Sequence, residues 1–377
     1  MVSILVLCGK VNYTNLSRYS DLSERTYRRH FNQGLPLESI NQSLIEQSRD
    51  PEHTLILAVD CTFLEKSGRH TYGIDSFYNG KTQRPEKGLE FSLLSVINLE
   101  QNTAYALSAQ QTEPGLSQNS TGKGKSRIDF YLGHLAYILT TCLLSDIRYV
   151  VGDGFYSKYK WVEGVVQLGL HCVGKLRFDA NLKWLYSGAQ KTRGRKRLYG
   201  DKVNLSAPQG FEWVEQKDDG TQLYTAVVWS VSLKRQIRVL YLCKQENGKF
   251  SYAVLFSTDT GITPADIYRF YKARFQIEFV FRDARQFTGL QDCQARSAQA
   301  LDSHVNASLT ALNLAKLVLA KEQPKDQPLA FSVASLKRTL FNEHLLELFI
   351  CYLDLDQTLI KSHPFYPVLL EHGSLAA

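Results

Sequence analysis

Three acidic residues lie at positions where folding could bring their carboxylates together for phosphoryl transfer. Asp60 and Asp153 each follow an apolar run, and Glu278 lies in a segment with helical periodicity. Carboxylates on rigid elements can hold two divalent metal ions about 3.5 to 4 Å apart, and such ions neutralise the attacking and leaving oxygens of a phosphodiester. These residue types predict a two-metal site in which Asp60, Asp153 and Glu278 are catalytic residues and metal ligands.

The two aspartates depend on a sheet to bring them together. The apolar run 55–59 predicts a buried strand that ends at Asp60, and residues 147–151 predict a strand that ends at Gly152-Asp153-Gly154. Further strands are predicted near 89–97, 103–108 and 171–175, and helices at 129–144 and 158–168. The order βββαβαβ is that of a ribonuclease H-like α/β fold, in which the first and fourth strands are neighbours. The alternative is that each aspartate only terminates its strand, because Asp-Gly is a common turn.

The segment around Glu278 predicts one helix over residues 267–286. At about 100° per residue, five polar residues fall on a single stripe between apolar flanks: Tyr271, Arg274, Glu278, Arg282 and Arg285. Such a stripe suits a helix that lines a charged cleft, with the glutamate toward metal and the arginines toward phosphate oxygens. The alternative is a network of ion pairs within the helix at i, i+4 spacing.

The remaining segments divide the chain into five predicted regions. Residues 15–31 read as two short helices around a turn, the second capped by Ser23, which is either helix-turn-helix-like or a hairpin packed on the main domain. Alternating segments after residue 181 predict a β-rich insertion. The predicted regions are a helical DNA-binding region at 1–50, the first part of the core at 51–180, the insertion at 181–257, the second part of the core at 258–320 and a helical end at 321–377.

A basic loop at 191–197 and two tryptophans add to the case for nucleic acid. Five of the loop's seven residues are basic, and four of them are the candidates for contact with DNA phosphates: Arg193, Arg195, Lys196 and Arg197. The alternative is a solvated linker. Trp213 and Trp229 fall in the β-rich segment, where core packing is the ordinary role of a tryptophan in a strand.

The amino-acid composition indicates which broad class of protein this is. Apolar residues make up 44% and charged residues 21%, which is typical of a globular protein. No run is long enough to span a bilayer and the first ten residues lack the features of a signal peptide, so a cytoplasmic, nucleoid-associated protein is expected. Seven cysteines without a CxxC pair predict reduced thiols. The net charge of +7 favours polyanion partners.

The pattern Tyr271-x2-Arg274-x3-Glu278-x6-Arg285 resembles the Y-R-E-K signature of DDE transposases from bacterial insertion sequences, in the family called insertion sequence four. Residues 57–68 around Asp60, residues 86–90, and residues 152–157 around Asp153 resemble the same family. The final signature position, usually lysine, is Arg285 here. This keeps the charge but changes how a phosphate is gripped.

The resemblance implies a DNA transposase that cuts transposon terminal inverted repeats and joins them to target DNA by cut-and-paste movement. It implies two magnesium or manganese ions per site, double-stranded DNA as partner and a homodimer on DNA. It also implies that Tyr271, Arg274 and Arg285 position phosphates and that an aromatic in the insertion stacks on an extruded base. Two alternatives stay open: a catalytically inactive, transposase-derived DNA-binding protein, and a ribonuclease H-like nuclease without strand transfer.

Overall fold

The computed structural model describes residues 1–116, 124–142, 144, 146–190, 192–246, 249–321 and 332–374. Their contacts separate into two compact units. The first unit comprises Met1–Thr54, Cys61–Gly115 and Gln276–Ala377, and the second comprises Leu55–Asp60 and Leu116–Phe275. The chain is thus a mixed α/β protein whose units each use distant parts of the sequence. The five predicted regions stay a prediction.

The described strands are β1 Leu55–Glu65, β2 Asp75–Asn79, β3 Arg84–Asn98, β4 Thr103–Gln111, β5 Tyr149–Val151, β6 His171–Leu176, β7 Leu182–Leu185, β8 Tyr199–Lys202, β9 Glu212–Gln216, β10 Gln222–Ser230, β11 Arg235–Glu246 and β12 Lys249–Ser257. The strands predicted from alternation and apolar runs are confirmed, with β2 as an addition between the first two.

The described helices are α1 Val2–Val6, α2 Tyr13–Arg18, α3 Glu24–Gln33, α4 Leu37–Ser48, α5 Arg127–Thr141, α6 Tyr159–Gln167, α7 Pro264–Ala273, α8 Gln276–Phe287, α9 Ala298–Ala320, α10 Val333–Tyr352, α11 Gln357–Lys361 and α12 Tyr366–Leu370. A short 3-10 turn covers Gly154–Tyr156. In the part of the chain that the structure describes, we find no helix with the length and apolar character needed to cross a membrane.

The second unit contains a mixed sheet. Strands β1, β5 and β6 are parallel neighbours, and β12 pairs antiparallel with β6. The antiparallel part continues through β11 and β10 to β7 and β8, with β9 also paired to β10. Residues 55–59 of β1 are all buried, as expected for a parallel strand covered on both faces. This parallel core brings the ends of β1 and β5 to one edge.

The first unit contains β3 paired with β2 and β4, beside the end of β1. Gly88 of β3 marks this close approach. A Cβ added there would lie 2.5 Å from the ring of Phe63 and 2.7 Å from the carbonyl oxygen of Leu64. Only glycine therefore allows β3 to lie against the final residues of β1 without displacement.

Asparagine side chains of α9 form hydrogen bonds with backbone groups on the edge of β4 that does not pair with β3. The Asn306 amide accepts from Ala109 N–H at 2.9 Å and donates to Ala109 C=O at 2.8 Å. Asn313 does the same for Ala106, at 2.9 and 2.7 Å. Seven helical residues rise about 10.5 Å, and three strand residues span about 10 Å. The two repeats therefore match, and α9 takes the place of a neighbouring strand.

A β-bulge makes this match possible. Leu94 pairs with Ser108 but Ser95 pairs with Ala106, so Leu107 is an extra residue in β4. In a regular strand, the backbone N–H and C=O groups of successive residues point to opposite edges, so residues three apart point to different edges. The extra residue of the bulge lets the backbone groups of Ala106 and Ala109 point to the same edge. The carbonyl of Leu107 accepts from the buried Asn41 side chain at 3.0 Å. The bulge therefore leaves this carbonyl satisfied.

The helix predicted over 267–286 is wrong as a single element. It is two helices, α7 and α8, separated by a turn at Arg274–Phe275. The Arg274 N–H bonds to the carbonyls of Phe270 and Tyr271, which tightens the last turn of α7. No Gly or Pro marks this break, so periodicity alone did not reveal it. The boundary between the two compact units falls at the same point, after Phe275.

The two N-terminal helices α2 and α3 are confirmed. Ser23 caps α3 by accepting from Thr26 N–H at 3.2 Å, as the sequence predicts. Phe31 on α3 is buried, and its ring meets that of Tyr13 on α2 at 5.3 Å. Both helices belong to the first unit, where α3 packs against α9.

Candidate active site

The parallel register of β1 and β5 sets Asp60 beside Asp153. Leu57 pairs with Val150 and Ala58 with Val151. Asp60 and Asp153 each follow two residues later, and the backbone at Asp153 is still extended. Residues two apart on a strand share a face, and neighbouring strands lie about 4.8 Å apart. The second unit therefore brings the two carboxylates to one edge.

Asp153 also shapes the turn that follows it. Its carboxylate accepts from Phe155 N–H at 2.8 Å and caps the 3-10 turn. The ammonium group of Lys158 lies 3.8 Å from the centre of the Phe155 ring. Burial lowers the pKa of Lys158, while the charge of Asp153 opposes that shift. Lys158 was not singled out from the sequence, although its position five residues after Asp153 could have suggested it.

Arg274 forms an ion pair with Asp60. Its Nη1 lies 3.8 Å from Asp60 Oδ2, and the side chains of Arg274 and Asp60 are 15% and 24% exposed. An ion pair this sheltered is screened less than a surface pair. The ring centre of Tyr271 lies 6.0 Å from the Arg274 guanidinium. Of the predicted stripe, Tyr271 and Arg274 thus lie at the end of α7 within the second unit.

The other three members of the predicted stripe lie on α8 in the first unit. Glu278 is half-buried in the first turn, where the helix dipole favours a negative charge. Arg282 is 60% exposed; it bonds to Asp283 at 2.8 Å and lies 4.4 Å from the centre of the Phe279 ring. The break at Arg274–Phe275 therefore places these three residues and the pair Tyr271 and Arg274 on separate helices.

Arg285 is held by the end of β1. Its guanidinium donates to the hydroxyl of Thr62 and, at 3.3 Å, to the carbonyl of Phe63. These bonds fix α8 against the strand segment that begins one residue after Asp60 within the first unit. The signature arginine therefore has a structural contact of its own in this chain.

The basic loop connects β7 and β8. Arg193, Arg195 and Lys196 are exposed, and Lys191 lies outside the described residues. The backbone of Arg197 exchanges two bonds with the Gln190 side chain, at 2.9 and 2.8 Å. The loop therefore has a fixed base at Arg197 and three cations open to solvent.

The two tryptophans of the β-rich segment differ in their surroundings. Trp229 is partly buried, and its ring centre lies 5.8 Å from that of Tyr199. Trp213 on β9 is 60% exposed. The ordinary role of core packing is thus wrong for Trp213. Stacking on an extruded base stays a prediction.

Comparison with known families adds a finding to this geometry. Residues 131–314 match the family model described as the transposase DDE domain. The match supports a DDE transposase. No curated protein matches the chain. The matched segment contains Asp153 and Glu278 but not Asp60, so the case for Asp60 rests on its register with Asp153. The family implies an enzyme that acts on DNA.

DDE transposase domains generally use divalent metals, and the aspartate pair fits such ions. Carboxylate oxygens are the ligands that magnesium and manganese prefer. Within the described ranges, no group of three or more His, Cys, Asp or Glu side chains is arranged to hold a metal ion. Asp60 and Asp153 supply two oxygen-bearing side chains in the second unit, and Glu278 belongs to the first.

Proposed function

We propose that this chain is a cut-and-paste DNA transposase of the insertion sequence four type, with a ribonuclease H-like core interrupted by the β-rich segment 181–257. The observation that carries the proposal is the register of β1 and β5, which sets Asp60 beside Asp153. The match of residues 131–314 to the transposase DDE domain supports it. The proposed partners are terminal inverted repeats and target DNA, bound by a homodimer at the nucleoid.

Each site residue has a proposed task. Asp60, Asp153 and Glu278 would hold two magnesium or manganese ions; the assignment of Glu278 rests on the Y-R-E-K pattern and on the family match. When bound, such ions neutralise charge on the phosphodiester oxygens and lower the pKa of water. Arg274, beside Asp60, would orient a DNA phosphate at the pair through its planar guanidinium. Tyr271, Arg282 and Arg285 would contact the transposon end.

On the DNA strand that is joined to the target, the proposed chemistry is two successive substitutions at phosphorus. In the first, a water oxygen bonds to phosphorus at the transposon end while the bond to the 3′ oxygen breaks, leaving a 3′-hydroxyl. In the second, that hydroxyl bonds to a phosphorus of target DNA while a bond of the target backbone breaks. Each step loses one proton from the nucleophile and returns one to the leaving oxygen, and none forms a bond between protein and DNA.

The test uses the full chain with a duplex that carries the inverted repeat flanking its gene, a plasmid target and magnesium. The wild-type protein should nick the end and form a joined product. Asp60→Asn, Asp153→Asn and Glu278→Gln should abolish both reactions while duplex binding, followed by fluorescence anisotropy, stays close to wild type. Asp201→Asn, at an exposed position of the second unit, is the matched control and should react normally.

Different results separate the alternatives. Cleavage without a joined product indicates a nuclease, and binding without cleavage indicates a DNA-binding descendant of a transposase. Normal cutting by the three acid variants contradicts the proposed site. Arg274→Ala should weaken binding of the end duplex, because it removes a phosphate contact as well as the ion pair with Asp60.

A further inference from the structure

A second anion-binding candidate lies wholly within the first unit. A pocket of about 660 Å³ opens between α3, the loop after β1 and the residues that lead into α9. The lining residues on which its chemistry depends are Tyr13, Arg28, Lys66, Cys293, Arg296 and Ser297. None of them belongs to the Y-R-E-K pattern or to the aspartate pair.

The pocket is positively charged. Three of its lining residues are cations, Arg28, Lys66 and Arg296, and none of the described lining residues is a carboxylate. Arg28 forms an exposed i, i+4 pair with Glu24 at 2.6 Å, but Glu24 does not line the pocket. The ammonium group of Lys66 donates to the carbonyl of Cys293, which holds it at the wall. A net positive wall favours an anionic occupant.

One buried donor in this wall has no partner. Tyr13 is only 7% exposed, and its hydroxyl makes no hydrogen bond within the described residues. Burial raises the pKa of Tyr13 to about 12, so the hydroxyl stays protonated and remains a donor at neutral pH. A buried polar group without a partner costs free energy, and a bound acceptor would satisfy it.

The start of α9 adds backbone donors. Ser297 is the N-cap of this helix, but its side chain makes no capping bond and instead donates to Asn32 at 2.6 Å. The first N–H groups of a helix have no acceptor within it, and the dipole of the 23-residue α9 is positive at this end. Helix N-termini with neighbouring cations are suited to phosphate oxygens.

We propose that this pocket binds a phosphate group of the DNA backbone. The occupant would accept from the Tyr13 hydroxyl and from the N-terminus of α9, with Arg28 and Arg296 balancing its charge. The inference rests on the proposed function, because it takes DNA as the source of the phosphate. It adds a contact that would fix the register of the duplex without reading its sequence.

Cys293 supplies a built-in reporter of occupancy. Its thiol bonds to His304, whose Nε2 donates to the carbonyl of Gly289 at 2.8 Å. Burial would raise the pKa of Cys293, but the bond from His304 and the charge of Lys66 outweigh it and hold this pKa below its usual value. The thiolate reacts with alkylating reagents, so Cys293 should be labelled readily when the pocket is empty.

The experiment measures how fast iodoacetamide labels Cys293 in the full chain, with the exposed Cys351 as internal standard. The probes are a short duplex of arbitrary sequence and inorganic phosphate, and duplex binding is followed separately by anisotropy. At about ten times its Kd, mass action predicts that the duplex slows labelling of Cys293 about tenfold. The rate at Cys351 should not change.

Charge variants test the cause of the protection. Arg28→Gln and Arg296→Gln should each weaken protection and lower the slope of log affinity against log salt by about 1. Arg69→Gln is the matched control, because Arg69 is exposed in the same loop as Lys66 but does not line the pocket. It should leave the protection of Cys293 as in the wild type.

The outcomes separate this inference from the proposed function. A duplex that binds but leaves the labelling rate of Cys293 unchanged overturns the pocket assignment and leaves the transposase proposal standing. Protection by inorganic phosphate but not by bound duplex refutes DNA as the source. Failure to bind any duplex contradicts the proposed function, whereas phosphate protection lost in Arg296→Gln would still support an anion site.

Discussion

Replacing Asn313 by leucine should show how much the stability of the first unit depends on side chains that form hydrogen bonds with the edge of β4. The substitution removes both bonds to the backbone of Ala106 and the bond from Asn313 to Asn41 Oδ1 at 2.9 Å. Asn313 and Asn41 are each 1% exposed, so water cannot replace the lost partners.

The magnitude follows from the groups left without partners. Each buried donor or acceptor that loses its partner costs about 1–3 kcal/mol, so the two backbone groups of Ala106 together cost about 2–6 kcal/mol. Leucine has a higher helix propensity than asparagine, but this returns less than about 1 kcal/mol. The expected loss in the free energy of unfolding is therefore several kcal/mol.

Urea unfolding gives this free energy, and hydrogen exchange assigns it to the first unit. The amide of Ala106 should exchange much faster in Asn313→Leu, whereas the amide of Ala109, still bonded to Asn306, should lose less protection. Gln47→Leu, at an exposed position of α4, is the control and should change stability by less than about 0.5 kcal/mol. A loss below about 1 kcal/mol, or an unchanged Ala106 amide, refutes the reasoning.

Three further substitutions test the electrostatics of α9 and the burial of two tryptophans. Burial and the nearby charge of Glu38 raise the pKa of Asp302 to about 7, so the folded state keeps this proton between about pH 4 and pH 7 and loses stability as pH rises through that window. Asp302→Asn should flatten the dependence of the urea midpoint on pH over the same window; a slope equal to that of the wild type speaks against a protonated Asp302. Trp161→Ala should cost about 3–5 kcal/mol, because this side chain is 1% exposed. Trp213→Ala, by contrast, should leave the free energy of unfolding nearly unchanged, and equal losses in the two variants would contradict the assigned burial.

Much of the fold could be predicted because the buried faces of strands and helices give a regular spacing of apolar residues along the sequence. The apolar run 55–59 predicts a strand that ends at Asp60; the structure confirms a strand there, but β1 continues through Asp60 to Glu65. The cap at Ser23 and the strand before Asp153 were likewise predicted from neighbouring residues, and the structure contains both. The roles of Asp60, Asp153 and Glu278 stay predictions, because periodicity places a carboxylate on an element but says nothing about what it binds.

Local periodicity failed where a long-range partner decided the outcome. It predicted one helix through Arg274, whereas α7 ends at Ala273 and α8 begins at Gln276, with a turn between them. It gave no sign of the pocket around Tyr13 and Cys293, whose walls come from segments that are distant in sequence. Asn306 and Asn313 likewise looked like ordinary polar positions of a helix.

The sequence by itself determined where most strands and helices lie, and that Asp60 and Asp153 lie in or directly after strands, because those features depend on neighbours within a few residues. The tertiary structure alone decided which strands meet, in what register, and which polar groups share a wall. The pairing of Leu57 with Val150 and of Ala58 with Val151 brings Asp60 and Asp153 to the same edge, and a pairing between residues nearly a hundred positions apart does not follow from local sequence.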